Sequence, residues 1–294
     1  MKLDYISARG DRLPLATNNL FWLVNVDGQT AVATSIASSV IGGADGDIVT
    51  NVQATPRTLV IDLSVKSGVD VEEAKRAVLK VIKVKQRGTL EWTQNNRTVV
   101  ISGIVESIEM PRWNNNVAMQ VTLHCAQPFW EDAEFLVKQI REIIDLHYLV
   151  VSPDDMLYFP ENGIAFGEYD TTRTKAFHNS GDVAVGLEIS IVALDRVTNP
   201  IIYDGNGNFF GVGYGDGAKK VTMRAGDNII ITTHKGNKRV KVNSVDGGSS
   251  LLSYIKPQST WLQLQAGDNL FTIDSDDESL SNMSFSLIYK QRYV

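Results

Sequence analysis

The stretch Val117-Ala118-Met119-Gln120-Val121-Thr122-Leu123-His124-Cys125 alternates apolar and polar residues from end to end. A period of two sends one set of side chains to a buried face and the other outward, which is the pattern of a half-buried strand. Working outward, Leu59, Ile61, Leu63 and Val65 repeat the pattern upstream. Downstream it recurs in Leu187, Ile189 and Ile191, in Val240 and Val242, and in Phe285, Leu287 and Tyr289. Clusters of Gly, Asn and Asp separate these runs, as in Ile41-Gly42-Gly43-Ala44-Asp45-Gly46-Asp47 and Asp246-Gly247-Gly248. Such residues tolerate the positive φ of tight turns. The chain therefore reads as mainly β.

Two segments read as helices. Asp70 offers an N-cap, with Glu73 three residues later, and Val71, Ala74, Val78, Val81 and Ile82 form an apolar stripe. From about Glu131 to His147, Ala133, Leu136, Val137, Ile140, Ile143 and Ile144 fall at helical spacing, behind acidic Glu131, Asp132 and Glu134 that suit a helix N-terminus. This predicts a domain of residues 1–128, a helical connector over 129–160 and a second domain over 161–294. Beyond Asn162 the pattern is short strands and frequent turns, as in a β-sandwich or jelly roll. That half holds an echo, Arg224-Ala225-Gly226-Asp227-Asn228 and Gln265-Ala266-Gly267-Asp268-Asn269, each read as a turn feeding a strand.

Composition excludes several functions. The chain has 294 residues, 43% hydrophobic and 21% charged, enough for one large or two ordinary globular domains. A net charge of −6 argues against a general nucleic-acid binder, which needs clustered Lys and Arg. The lone Cys125 excludes an intrachain disulfide framework and a multi-cysteine zinc site. No apolar run approaches a membrane span, and Met1-Lys2-Leu3-Asp4-Tyr5 lacks a secretory core, so the expectation is a soluble protein made in a reducing compartment.

Gly205, Gly207 and Gly211 miss the dinucleotide spacing by one residue, and no helical pattern follows them or Gly213, Gly215 and Gly217. Asp204, Asn206 and Asn208 imitate the start of a calcium loop, but Phe209 replaces its glycine and Gly215 its closing Glu. The run Asp274-Ser275-Asp276-Asp277-Glu278 reads as a solvated loop. Cys125 shares the face of Val121 and Leu123, so it reads as a small core residue, and His124, His147, His178 and His234 have no partner at relay or ligand spacing. Lys75, Arg76, Lys80, Lys83, Lys85 and Arg87 read as a solvated basic face. Phe21-Trp22 and Phe129-Trp130 read as plugs at domain edges, with interface burial as the alternative. No catalytic, cofactor-binding or metal-ligating residue is assigned.

The order of features resembles the distal tail (Dit-like) protein family of long-tailed phages and prophages. The resemblance rests on the 41–47 turn, the strand and helix after it, and His124-Cys125-Ala126-Gln127-Pro128. It continues through Tyr158-Phe159-Pro160-Glu161-Asn162-Gly163-Ile164-Ala165-Phe166-Gly167 and His178-Asn179-Ser180-Gly181-Asp182-Val183. Asn199-Pro200-Ile201-Ile202, both Ala-Gly-Asp-Asn turns and the closing Tyr289-to-Tyr293 segment complete it. It implies an N-terminal β-rich hub domain that forms a ring, a homohexamer, and a C-terminal galectin-like β-sandwich. The implied partners are the major tail tube protein, the tail-tip protein and a receptor-binding protein, with DNA passing through the channel unheld. The implied place is the distal end of the virion tail, after assembly in the host cytoplasm, with no enzyme activity and no cofactor.

The alternative is a carbohydrate-binding tail component that contacts host glycans, with Trp261 as a possible platform on the C-terminal half. A tail-associated hydrolase fits worst, because no nucleophile, metal cluster or acid pair stands out.

Overall fold

The computed structural model describes residues 2–30, 32–43, 45–110, 118–139, 143–144, 168–169, 174–244, 247–277 and 282–294. The chain divides into two compact units, Met1–Glu134 with Arg292–Val294, and Phe135–Gln291.

The first unit is built from β1 (Lys2–Ser7), β2 (Arg12–Pro14), β3 (Phe21–Asp27), β4 (Thr34–Val40), β5 (Asp47–Ala54), β6 (Arg57–Val65), α1 (Val71–Val81), β7 (Arg87–Gln94), β8 (Arg97–Glu109), β9 (Ala118–Cys125) and β10 (Trp130–Asp132). Its main antiparallel sheet runs in the order β2-β1-β7-β8-β9-β6-β3, and β10 adds to β8. The alternating 117–125 stretch supplies β9, an interior strand of this sheet, on which Met119, Val121, Leu123 and Cys125 are buried. They pair with β6, whose Leu59, Ile61, Leu63 and Val65 face the same core. Helix α1 covers that core with Ala74, Val78 and Ile82. Asp70 caps it as the sequence predicts, accepting a hydrogen bond from the Glu72 amide at 3.0 Å.

The second unit contains β11 (Leu136–Gln139), β12 (Ile143–Ile144), β13 (Glu168–Tyr169), β14 (Thr174–Asn179), β15 (Val185–Gly186), β16 (Glu188–Ala193), β17 (Val197–Thr198), β18 (Pro200–Asp204), β19 (Phe209–Gly211) and β20 (Thr222–Met223). It continues with β21 (Asn228–His234), β22 (Asn237–Ser244), β23 (Gly247–Ser250), β24 (Gln263–Leu264), β25 (Gly267–Ser275) and β26 (Met283–Tyr289). The final strand, β27 (Arg292–Tyr293), belongs to the first unit, where it pairs with β10. Two antiparallel sheets, β11-β26-β16-β21-β22-β23 and β14-β25-β18-β19, contribute to one apolar cluster. Ile189, Ile231, Phe285 and Leu287 enter it from the first sheet and Phe177, Ile202, Phe210 and Phe271 from the second, which is sandwich packing. The two Ala-Gly-Asp-Asn turns do feed strands, one in each sheet: β21 and β25. Gly226 and Gly267 take φ of +90° and +85° there. The turns close differently, Asp227 accepting from the Arg224 amide and Asn269 from the Gln265 amide.

The expected helix over 131–147 is a correction. Its described residues form strands apart from a bend over 133–135: Trp130–Asp132 pairs with β8 and β27, Leu136–Gln139 with β26, and Ile143–Ile144 with Glu168–Tyr169. The apolar spacing fits a helix, but Val137, Ile143 and Ile144 are β-branched and prefer a pleated surface. Open sheet edges supplied the pairing that decided it. The rest of that segment, His147 included, and the Tyr158–Gly167 motif lie outside the described residues.

Candidate assembly surface

Strands β4 and β5 form a separate two-stranded hairpin. Every residue from Thr34 to Gln53 within these strands is exposed. Its tip is the Gly-rich turn predicted from sequence, with Gly43 and Gly46 at φ of +84° and +93°. Its root is tied down by the Thr55 amide and hydroxyl, both donating to the Ala33 carbonyl.

The register decides what the hairpin offers. Ile36 faces Val52, and Ala37 faces Asn51, but Ser38 faces Val49, so Thr50 is an extra residue bulged out of the ladder. Its hydroxyl donates to the Ala37 carbonyl at 2.9 Å. In an unbulged strand Val49 and Val52 would point to opposite faces. The bulge restores them to one face, because directly paired residues share a side. That face carries Ile36, Val40, Val49, Val52 and Ala54, with the polar Thr34, Ser38 and Asp47 among them. The other carries Ser35, Ala37, Ser39, Asn51 and Gln53, with Ile48 as its large apolar residue. Four large aliphatic side chains gathered on one face of an exposed hairpin make that face a candidate contact surface. The alternation is visible in the sequence, but the bulge is not, and a period-two reading scatters the valines.

The strand that precedes the hairpin offers a second exposed surface. β3 is an edge of the main sheet. Trp22 is 59% exposed and Val24 64% exposed on it. Phe21 is buried in the core, so the Phe21-Trp22 pair splits into one core residue and one surface aromatic, over which Lys66 Nζ sits 3.9 Å from the ring centroid. Of Phe129-Trp130, Phe129 is half-buried and Trp130 is buried against Trp92 in an edge-to-face contact at 5.9 Å.

The remaining sequence candidates resolve into structural roles. Cys125 is fully buried, and burial pushes its thiol up to about 11, partly offset by nearby Arg57, so it is no nucleophile. Asp204 caps the β18–β19 turn, accepting from the Asn206 and Asn208 amides and the Asn208 side chain. Its oxygens are thus engaged locally. Among the described residues, no three His, Cys, Asp or Glu side chains converge as a metal would need. In the acidic run, Asp276 accepts from Asn199 at 2.7 Å and lies 3.8 Å from Lys256. Asn199, buried with φ of +50°, also bonds the Gly215 carbonyl and the Val221 amide, so the glycine-rich stretch is held by a packed asparagine. A Cβ on Gly213 would meet Asn199 Oδ1 at 2.2 Å.

His178 meets Asp268 at 2.7 Å across the β14–β25 pair, a contact 90 residues apart that no local spacing reveals. Both are exposed. In the basic stretch, Lys75 pairs with Glu72, while Arg76, Lys80, Lys83, Lys85 and Arg87 are exposed. Trp261 is half-buried: it packs on the core and on Phe210 at 4.8 Å, and Lys238 Nζ lies 5.3 Å from its ring.

No family model and no curated protein matches this chain. Solved structures do. The crystal structure of Dit from phage SPP1, described as a paradigm of the hub adsorption apparatus in phages of Gram-positive hosts, superposes with a TM-score of 0.64. The alignment covers 99% of both chains at 13% identity. The chain has the Dit fold. A looser likeness, TM-score 0.46 at 11% identity, is to a chain of the phage P2 baseplate in its activated, calcium-bound conformation. The Dit fold is thus reached with little shared sequence, so it is the order of strands, turns and helix that carries the resemblance.

Proposed function

We propose that this protein is a structural hub at the distal end of a phage or phage-like tail. In this reading it assembles into a ring of six copies that joins the tail tube to the tail-tip and adsorption apparatus. The Dit fold supports the class of role. The observation that carries assembly is the β4–β5 hairpin, whose apolar face gathers Ile36, Val40, Val49 and Val52 in solvent. Covering what is still exposed of each side chain is worth about 1–2 kcal/mol. A ring needs a head-to-tail contact between two different surfaces, and the hairpin face and the exposed β3 edge supply two candidates.

The partners in this reading are neighbouring copies, the tail tube protein, the tail-tip protein and a receptor-binding protein. DNA crosses the ring without being held, consistent with the acidic net charge of −6. The protein works in the virion tail, after assembly in the host cytoplasm, and has no enzyme activity. Domain roles follow the same reading: residues 1–128 form the hub and the C-terminal half is a galectin-like peripheral sandwich.

The test is mass photometry of purified protein, alone and with the tail tube and tail-tip proteins. The expected result is a species at six times 32.4 kDa that the double variant Ile36→Asp, Val52→Asp abolishes without lowering the melting temperature. A monomer under both conditions sinks the ring reading.

A further inference from the structure

The basic stretch of the sequence gains no role from contacts within the chain. Residues 75–87 hold six Lys and Arg and no Asp or Glu. At their C-terminal end the main sheet fixes this charge in place. The Lys85 amide donates to the Val105 carbonyl at 2.9 Å, and the Val105 amide donates to the Gln86 carbonyl at 3.0 Å. Lys85 takes a φ of +65° to make this turn. Arg87 then pairs directly with Ile104 across β7 and β8, so the two side chains stand on one face. Val84 and Ile104 are each 45% exposed, and Lys83, Lys85 and Arg87 are exposed around them. Glu106, exposed on β8, offsets part of the charge. Among the described residues, none of the three cations is held in an ion pair.

The β4–β5 hairpin is the complement of this surface. Residues 28–56 hold no Lys or Arg, and their two acids, Asp45 and Asp47, lie at the tip. Asp47 pairs directly with Val40, so its carboxylate ends the same face that carries Ile36, Val49 and Val52. A seven-residue strand spans roughly 23 Å, so the tip stands well clear of the hairpin root. Both surfaces are exposed within one chain, so the hairpin does not cover its own basic patch. The β3 edge is a poorer match. Its neighbouring cation, Lys66, already lies over the Trp22 ring and donates to the Asn18 carbonyl.

We propose that the hairpin of one copy docks on the surface formed by Lys83, Val84, Lys85, Arg87 and Ile104 of a second copy. Asp45 and Asp47 face the three cations, and the hairpin valines cover Val84 and Ile104. The contact joins two different surfaces, so repeating it builds a head-to-tail assembly rather than a closed pair. Apolar burial supplies affinity, and the charges fix which way the hairpin lies. The inference rests on the ring reading and names the surface on which neighbouring copies meet.

The experiment uses the full-length protein under the condition in which mass photometry shows the ring, alone or with the tail proteins. Reversing one side, with Lys83→Glu, Lys85→Glu and Arg87→Glu together, raises the concentration for half-assembly roughly tenfold or more. Asp45→Lys with Asp47→Lys does the same. A protein carrying both sets assembles within about threefold of wild type, because the charges again complement each other. In a second measurement, Asp47→Cys and Lys85→Cys are combined in a Cys125→Ala background and treated with a short bismaleimide. A ladder of linked copies appears on a denaturing gel, and neither cysteine substitution alone produces it.

A wild-type ring indifferent to both reversals overturns this contact and leaves the ring reading standing. So does a combined variant that assembles no better than either set alone. Where a reversal lowers the melting temperature, the linked ladder decides, and its absence overturns the contact. A wild-type protein that forms no ring under any condition overturns the ring reading and this inference with it.

Discussion

Asp4 is 1% exposed in the middle of β1, yet it is an acid. Arg12 reaches it from β2 at 2.6 Å and bridges to Glu91 on β7 at 2.7 Å, while Lys2 lies 3.1 Å away. The two carboxylates in turn raise the Arg12 pKa. Three adjacent strands are pinned by one guanidinium. Arg12→Ala leaves a buried carboxylate with one flexible partner, so it should lower unfolding free energy by about 2–4 kcal/mol in urea titration. A loss under about 0.5 kcal/mol would place the pair among surface ion pairs of little consequence. Gly88 is a second decisive residue. A Cβ there would lie 2.1 Å from Oη of Tyr5, a fully buried ring. Gly88→Ala is expected to cost about 1–3 kcal/mol by overpacking. An unchanged melting temperature would mean that the Tyr5 ring can swing aside.

At the scale of elements, the helix and the hairpin behave oppositely. α1 was legible: a capping Asp70, acidic Glu72 and Glu73 in the first turn and a stripe ending at Ile82 all agree. Asp70→Ala should cost about 1 kcal/mol of stability through loss of one cap, and Asp70→Ser should restore most of it. If both substitutions are equally costly, the cap is not the reason. The segment from Glu131 was misread because helical spacing and β-branching conflicted there, and the conflict was resolved by remote partners, β26 and β27. The hairpin tip was legible from its glycines. The use of its faces was not, since a bulge of one residue changes which side chains stand together.

For the molecule as a whole, alkaline pH is the informative variable. The Cys125 thiol moves from 9.0 to about 11 and the Tyr293 hydroxyl from 10.0 to about 12, each mainly through burial. Both groups hold their proton more tightly when folded. Their contribution is therefore intact below the unfolded values and is lost as pH rises from about 9 through about 12. The melting temperature should fall over that interval. Cys125→Ala should flatten the limb between pH 9 and 11, a difference of order 2 kcal/mol, leaving the Tyr293 limb in place. Identical pH profiles for wild type and variant would show that the thiol titrates as freely in the folded state as in the unfolded one.

The sequence by itself determined that the chain is mainly β, where α1 lies, which side of β6 and β9 is buried, and that the glycine clusters turn. These are local facts, set by side-chain periodicity and backbone freedom within a few residues. The tertiary structure decided the rest. It chose strand over helix after Trp130, joined His178 to Asp268, and divided Phe21-Trp22 between core and surface. It aligned the valines of the hairpin on one face and set Arg87 beside Ile104. Apart from the hairpin, whose faces turn on a bulge of one residue, each of these depends on pairing between distant segments. Such pairing is fixed by register and by the competition for open sheet edges, and neither is written in any single stretch of the chain.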